Sequence, residues 1–130
     1  MAAPELGLVL DTGALIAFER GDRQVAALIE ATRRRKDRVL TSSGCVAQAW
    51  RDGARQVLLA RLLAGVAEGP LEPGSSRAVG ELCAAAGTTD VVDAHVALLT
   101  SDHDTVVTSD PGDITLLLRS AGCSAGSVRC

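Results

Sequence analysis

The chain has 130 residues, enough for one compact domain with a substantial core and too few for two ordinary domains. Hydrophobic residues make up 47%, but no apolar run is long enough to cross a bilayer, and the start MAAPELGLVLD lacks the basic residues of a signal peptide. A net charge of −3 excludes a uniformly basic nucleic-acid-binding surface, so phosphate contacts would need local positive charge. We expect a soluble, cytoplasmic, single-domain protein over residues 1–130.

Short apolar or β-branched segments alternate with helical patterns along the chain. The predicted strands cover residues 6–10, 38–41, 105–108 and 127–129, and a further short strand is expected within the turn-rich segment 68–76. The predicted helices start at Gly13 or cover residues 22–35, 42–53, 54–66, 76–86, 90–101 and 114–120. This alternation predicts a three-layer α/β domain with a mostly parallel central sheet flanked by helices.

The cysteine, histidine and aromatic content disfavours some kinds of site and of RNA recognition. The four cysteines form no CxxC pair and have only two histidines to join them, which disfavours a zinc site or a redox motif. Cys45 and Cys83 lie in apolar helical patterns and are predicted to be in the core. Phe18 and Trp50 are the only aromatic residues, so any RNA recognition would use the backbone and shape in preference to base stacking.

Basic residues are clustered in two segments, residues 33–38 and residues 51–61. Such clusters can supply the local positive charge that phosphate needs. For any single arginine, however, a solvated helix face is the favoured interpretation.

Acidic residues follow two predicted strands and begin a predicted helix. Asp11 ends the apolar run LGLVL, Asp110 and Asp113 lie in VVTSDPGD, and Asp90 and Asp93 lie in TTDVVDAH. The ligand crevice of a parallel sheet lies outside the carboxyl ends of its strands, so Asp11 and Asp110 should point into the same region. Each acid also has an alternative role as an N-cap or first-turn acid of the following helix. Asp11 is the strongest single candidate for a site.

Converging carboxylates repel one another unless a divalent cation neutralises them, and their oxygens favour Mg²⁺ or Mn²⁺. Such a cation supports phosphodiester hydrolysis without a nucleophilic side chain. The chain lacks the motifs GxSxG, GxxxxGK[ST] and GxGxxG. Gly13 also occupies the position where a phosphoaspartyl hydrolase would have its second aspartate. Metal-dependent phosphodiester hydrolysis is therefore the leading hypothesis.

Four segments, in order, resemble the motifs of the PIN-domain family, and specifically the toxin nucleases of bacterial VapBC toxin–antitoxin pairs. VLDTGALIAF resembles the first motif, TSSGCVAQAWRDG the second, DVVDAHVALL the third and VVTSDPGDI the fourth, so the resemblance covers nearly the whole chain. It implies a PIN-like ribonuclease that uses Mg²⁺ or Mn²⁺ to cleave RNA. It also implies a homodimer and inhibition by a small cognate VapB-like antitoxin that covers the active site.

The resemblance assigns roles to individual acids. It implies that Asp11, Asp93 and Asp110 are the catalytic, metal-binding residues. Asp90 and Asp113 are supporting candidates, which would hold the metal directly or through water. Thr12 matches a hydroxyl position that orients the site.

The second motif departs from the family, because Gln48 stands where glutamate is usual. Glutamine keeps an amide oxygen that can ligate a metal, but it carries no charge and cannot act as a general base. Arg51 and Arg55 follow at about one and two helical turns, so we expect them on the same helix face, pointing toward bound phosphate. His95 is expected to be a packed or capping histidine, since a helix turns it away from Asp93.

Three hypotheses remain open at this point. The first is an endoribonuclease toxin with a modified metal site. The second is a catalytically weak PIN domain that binds RNA or protein, because Gln48 replaces the usual acid. The third is a small dimeric partner protein whose acids are all helix caps, which predicts no binding of divalent ions.

Overall fold

The computed structural model describes residues 6–130, in which strands and helices alternate. The strands are β1 (Leu8–Leu10), β2 (Val39–Ser42), β3 (Ala67–Gly69), β4 (Thr105–Thr108) and β5 (Gly126–Arg129). The helices are α1 (Thr12–Glu19), α2 (Arg23–Arg34), α3 (Ser43–Ala49), α4 (Val57–Ala64), α5 (Pro73–Ala86), α6 (Val91–Leu99) and α7 (Pro111–Ser120). Residues 1–5 lie outside the described residues. They belong to the domain predicted over residues 1–130 and to the start of the segment MAAPELGLVLD.

The strands form one parallel sheet in the order β3-β2-β1-β4-β5. Strand β1 lies at the centre, and all three of its residues are buried because helices cover both faces of the sheet. The predicted fold class, a three-layer α/β domain with a parallel central sheet, is confirmed.

Two groups of helices sandwich this sheet. Helices α1 and α2 contact β1 on one side, whereas α5, α6 and α7 pack against one another, with α6 contacting β1 and β2. The core between these layers is mainly aliphatic and includes Leu10, Leu15, Ile114 and Val106. Cys45 and Cys83 are buried free thiols, as predicted.

Several element boundaries differ from the predicted ones. Helix α3 ends at Ala49 because Trp50 adopts an extended backbone, and a turn separates it from α4 at Val57. Helix α5 begins at Pro73, three residues early, because Glu72 and Ser75 form a capping box and proline suits the first turn. The short third strand, Ala67–Gly69, lies at the start of the turn-rich segment in which it was predicted.

Asp104 links the beginnings of β1, β2 and β4 at the edge of the sheet where the strands start, which we call the amino edge. Its buried carboxylate accepts hydrogen bonds from the backbone N–H groups of Gly7 and Ser101 at 3.0 and 2.8 Å. It also pairs with the Arg38 guanidinium at 2.7 Å. This network is structural, and it lies at the opposite edge from the residues that follow the strands.

Within residues 6–130, no single helix has the length and apolar character to cross a membrane; α5 and α6 satisfy that test only as a pair bent by 108°.

Candidate active site

The order of the strands creates a switch point between β1 and β4. The chain proceeds from β1 outward through β2 to β3, then crosses back to β4 on the other side of β1. In such sheets the ligand crevice opens at the carboxyl ends of the two strands at the switch. Asp11 directly follows β1, and its backbone N–H donates to Val107 of β4 at 3.2 Å. Asp110 follows β4 by two residues, so the topology brings these two predicted site residues to the same crevice.

Three of the predicted acids are also helix N-caps. Asp11 Oδ1 accepts from the backbone N–H of Ala14 at 2.9 Å, at the start of α1. Asp90 Oδ1 accepts from the N–H of Asp93 at 3.0 Å, at the start of α6. The equivalent bond from Asp113 to Asp110 Oδ1, at the start of α7, measures 3.2 Å. The capping role considered for these acids is therefore real, and each bond is made by Oδ1.

Asp90, Asp93 and Asp113 line one small cavity, and Asp11 and Asp110 follow the adjacent strands β1 and β4; we call these five residues the acidic cluster. Burial, together with the negative charges of Asp90, Asp11 and Asp113, raises the pKa of Asp93 to about 7. A hydrogen bond with Asp110 and the negative charges of Asp110 and Asp90 raise the pKa of Asp113. The cluster is thus strained electrostatically near neutral pH.

Asp11 is the most buried member of the cluster, with 4% of its surface exposed. Burial raises its pKa, whereas the Thr108 hydroxyl and the nearby backbone N–H groups oppose that shift by favouring the ionised form. Thr108 also accepts a hydrogen bond from the backbone N–H of Asp110 at 2.9 Å. Thr108 therefore connects two acids, a role that sequence reasoning missed although the residue lies inside the fourth motif.

Gln48 lies beside this cluster and is held by Thr12. The Thr12 hydroxyl donates to Gln48 Oε1 at 2.5 Å, and both residues adjoin the crevice because Thr12 follows Asp11. The amide oxygen that was considered a metal ligand therefore uses one of its two lone pairs on Thr12, and one lone pair and the amide N–H groups are left for other partners.

The expectation that Arg51 and Arg55 extend the helical face of Gln48 is wrong. Helix α3 ends at Ala49, so both arginines lie in the following turn. The Arg51 guanidinium donates to the backbone carbonyls of Ala47 and Trp50, which satisfies the end of the helix. Arg55 lies 3.7 Å from Asp52 in an exposed pair.

The basic segment at residues 33–38 lies at the amino edge, because it connects the end of α2 to the beginning of β2. Within it, Arg34 pairs with Glu30 and Arg35 with Asp37, in addition to the pair between Arg38 and Asp104. This segment is therefore a solvated, internally paired surface and lies away from the acidic cluster.

A glycine and a buried histidine complete the immediate surroundings. A Cβ on Gly13 would lie 2.4 Å from Ser109 Oγ, so only glycine lets α1 approach the end of β4 this closely. His95, confirmed as a packed residue, is buried with Nδ1 2.7 Å from Ser42 Oγ. Its Nε2 has no hydrogen-bond partner among residues 6–130. Burial lowers the pKa of His95, opposed by the nearby backbone of Pro70.

The chemistry of the donor set fits a hard divalent cation. Carboxylate oxygens are the ligands that Mg²⁺ and Mn²⁺ prefer, and a cation would relieve the repulsion that raises the pKa of Asp93. Within residues 6–130, however, no three potential ligands are already grouped closely enough to hold a metal. The donors fit, and binding would require the side chains to draw together.

The sequence matches no protein-family model, and no curated protein matches it.

Proposed function

We propose that this protein is a PIN-like endoribonuclease that depends on Mg²⁺ or Mn²⁺. The observation that carries the proposal is the placement of five acids around the switch point of the sheet, where burial and then the charges of Asp90, Asp11 and Asp113 raise the pKa of Asp93 to about 7. A cluster of this kind is costly for a protein that does not use it.

In this proposal, Asp11, Asp93 and Asp110 hold the cation, and Asp90 and Asp113 support them directly or through water. The chemistry that Mg²⁺ or Mn²⁺ supplies when bound is neutralisation of phosphodiester charge and a lower pKa for water. Asp11 is fixed for this task by its cap to Ala14. The N-termini of three helices meet at the cluster, and their dipoles favour both carboxylates and an approaching phosphate.

The test is cleavage of single-stranded RNA with and without Mn²⁺, comparing wild type with Asp11→Asn. Asparagine can keep the cap to Ala14 while removing the charge, so we expect a folded variant without activity. Asp102→Asn is the matched control, because the Asp102 carboxylate also accepts a backbone N–H, from Ser124 at 3.0 Å, and Asp102 lies in the turn before β4, outside the acidic cluster. Cleavage that survives EDTA, or full activity in Asp11→Asn, would refute the proposal.

A second candidate, a PIN-like module that binds RNA or protein with little or no turnover, is favoured by one observation. Gln48 has no charge, and its amide oxygen already accepts a hydrogen bond from Thr12, which leaves it one lone pair. If wild type is inactive and Gln48→Glu cleaves RNA, this second function is correct. If wild type and Gln48→Glu cleave at comparable rates, it is not.

The cytoplasmic location is proposed from the composition of the chain. The toxin role, the homodimer and the VapB-like antitoxin rest on the resemblance of the four motifs alone. They predict a neighbouring reading frame that encodes a short DNA-binding protein with an arginine-bearing tail. Co-expression of the two proteins should give a stable complex that no longer cleaves RNA. A gene with no such neighbour would argue against the toxin role and leave the nuclease proposal intact.

A further inference from the structure

A groove of about 570 Å³ opens beside the acidic cluster and runs along α1. Ile16 and Ala17 form part of its lining from the helix, and Gly13 lies at the end nearer the acids. Ser109 and Cys130 line it from the ends of β4 and β5, so the groove lies at the carboxyl edge of the sheet. Its volume lies within the range of about 300–1,000 Å³ that is usual for ligand sites.

The groove is continuous with the acidic cluster. Gly13 and Ser109 line the groove, and the backbone N–H groups of both favour the ionised form of Asp11. The negative charge of Asp11 in turn contributes to a raised pKa of the Cys130 thiol, after the larger effect of burial. A polymer held at the cluster would therefore enter this groove with its neighbouring units.

Arg20 supplies positive charge to the groove. It lies at the end of α1, about 10 Å along the helix axis from Gly13. Its side chain is exposed and makes no hydrogen bond or ion pair with any residue from 6 to 130. Asp22 also lines the groove, but its carboxylate accepts the N–H of Val25 at 3.0 Å as the cap of α2. The groove thus combines an apolar lining with an available guanidinium.

We propose that this groove binds the RNA strand adjoining the cleaved phosphodiester, with Arg20 contacting a backbone phosphate and Ile16 packing against the nucleotide. The inference rests on the proposed ribonuclease function and adds to it a path for the substrate. Among residues 6–130, neither Phe18 nor Trp50 lines the groove. The groove would therefore recognise the RNA backbone in preference to the identity of the bases. Arg20 is an anchoring residue, remote from the reacting atoms.

The test measures binding of a short, fluorescein-labelled, mixed-sequence single-stranded RNA by fluorescence anisotropy at several salt concentrations, in EDTA to prevent cleavage. Loss of one phosphate contact in Arg20→Gln should weaken binding and reduce the slope of log K against log salt by about 0.7. Arg20→Lys should keep the slope. Arg61→Gln is the matched control, because Arg61 is also exposed, makes no ion pair within the described residues and lies at the amino-edge end of α4.

Cysteine labelling provides an independent measurement. RNA should slow alkylation of Cys130 in the groove and leave Cys123 unaffected, because Cys123 lies in a different cavity beside α7. Equal salt slopes for Arg20→Gln and Arg61→Gln would overturn the groove proposal, as would no detectable RNA binding or no protection of Cys130. An Arg20→Gln effect on oligomeric state without an effect on RNA would overturn it in favour of a protein interface.

The two proposals can fail separately. If wild type cleaves RNA with Mn²⁺ but Arg20→Gln matches Arg61→Gln in binding, the ribonuclease stands and the groove does not. If Arg20→Gln reduces the salt slope as expected but wild type does not cleave RNA with Mn²⁺, the groove binds RNA and the catalytic proposal fails.

Discussion

Asp93→Asn should stabilise the protein in the absence of divalent ions. The carboxyl of Asp93 has its pKa raised from 3.8 to about 7, first by burial and then by the charges of Asp90, Asp11 and Asp113. That span corresponds to at most about 4 kcal/mol of unfavourable ionisation. Because the side chain is partly exposed, solvent screening reduces the expected gain to about 1–2 kcal/mol. For a domain of this size, the melting temperature should rise by roughly 3–8 °C.

The gain should depend on pH in a defined direction. Between pH 3.8 and about 7, the folded protein binds a proton at Asp93 that the unfolded chain releases, so the stability of wild type falls as pH rises through this window. Asp93→Asn has no such proton. The difference in melting temperature between variant and wild type should therefore be small near the lower limit, grow through the window and level off above about pH 7.

The assay is thermal unfolding, followed by circular dichroism in EDTA, across this pH range. Asp22→Asn serves as the control, because Asp22 does not act on Asp93 and should give no growing difference. Adding Mn²⁺ should stabilise wild type more than Asp93→Asn and so reduce or reverse the difference. A gain that is independent of pH, or a variant less stable than wild type above pH 7, would refute this account of the acidic cluster.

Three further substitutions test separate features. Gly13→Ala should lower the free energy of unfolding by about 1–3 kcal/mol, because the added methyl group crowds Ser109, and adding Ser109→Gly should recover part of the loss. Urea titration measures both changes. In the same titration the control Gly80→Ala should raise the free energy of unfolding by about 1 kcal/mol, because no atom lies within 4 Å of the added methyl group. Gln48→Glu should tighten Mn²⁺ binding measured by calorimetry, and an unchanged affinity would place residue 48 outside the metal site. Asp104→Ala should lower stability by about 1–3 kcal/mol for each of the two backbone N–H groups it leaves unpaired, without altering Mn²⁺ affinity.

The fold class was predictable because the three inner strands β1, β2 and β4 are short and rich in buried apolar or β-branched residues, and each is followed by a helical pattern. Residues 6–10 and 105–108 were both predicted to be strands, and they contain β1 and β4. Boundaries were less predictable where local backbone geometry decides them. Trp50 continues an apolar helical pattern in the sequence, but its extended backbone ends α3 before it. Pro73 begins a helix within a segment that composition marks as a turn.

The acids of the candidate site were predictable because they follow strands or begin helices, and position in a parallel sheet then determines where they meet. The partners that hold them were not. The contact between Thr12 and Gln48 joins residues far apart in sequence, and the pairing of Ser42 with His95 depends on how α6 packs against β2. Nothing in the sequence distinguishes Arg20, which lines the groove that adjoins the acidic cluster, from the arginines at the opposite edge. Only topology separates them.

Helix capping and metal binding do not compete as explanations of the acidic cluster. In Asp11, Asp90 and Asp110 the capping N–H is bound by Oδ1, and a carboxylate has further lone pairs with which it can also contact a cation. Asparagine keeps one oxygen that can accept the capping N–H, and it replaces the other carboxylate oxygen with an uncharged NH₂ group. If the acids serve only as caps, asparagine variants should keep the helix caps and leave Mn²⁺ binding unchanged. If they also hold a cation, the same variants should remain folded and lose Mn²⁺ affinity, so one set of substitutions separates the two roles.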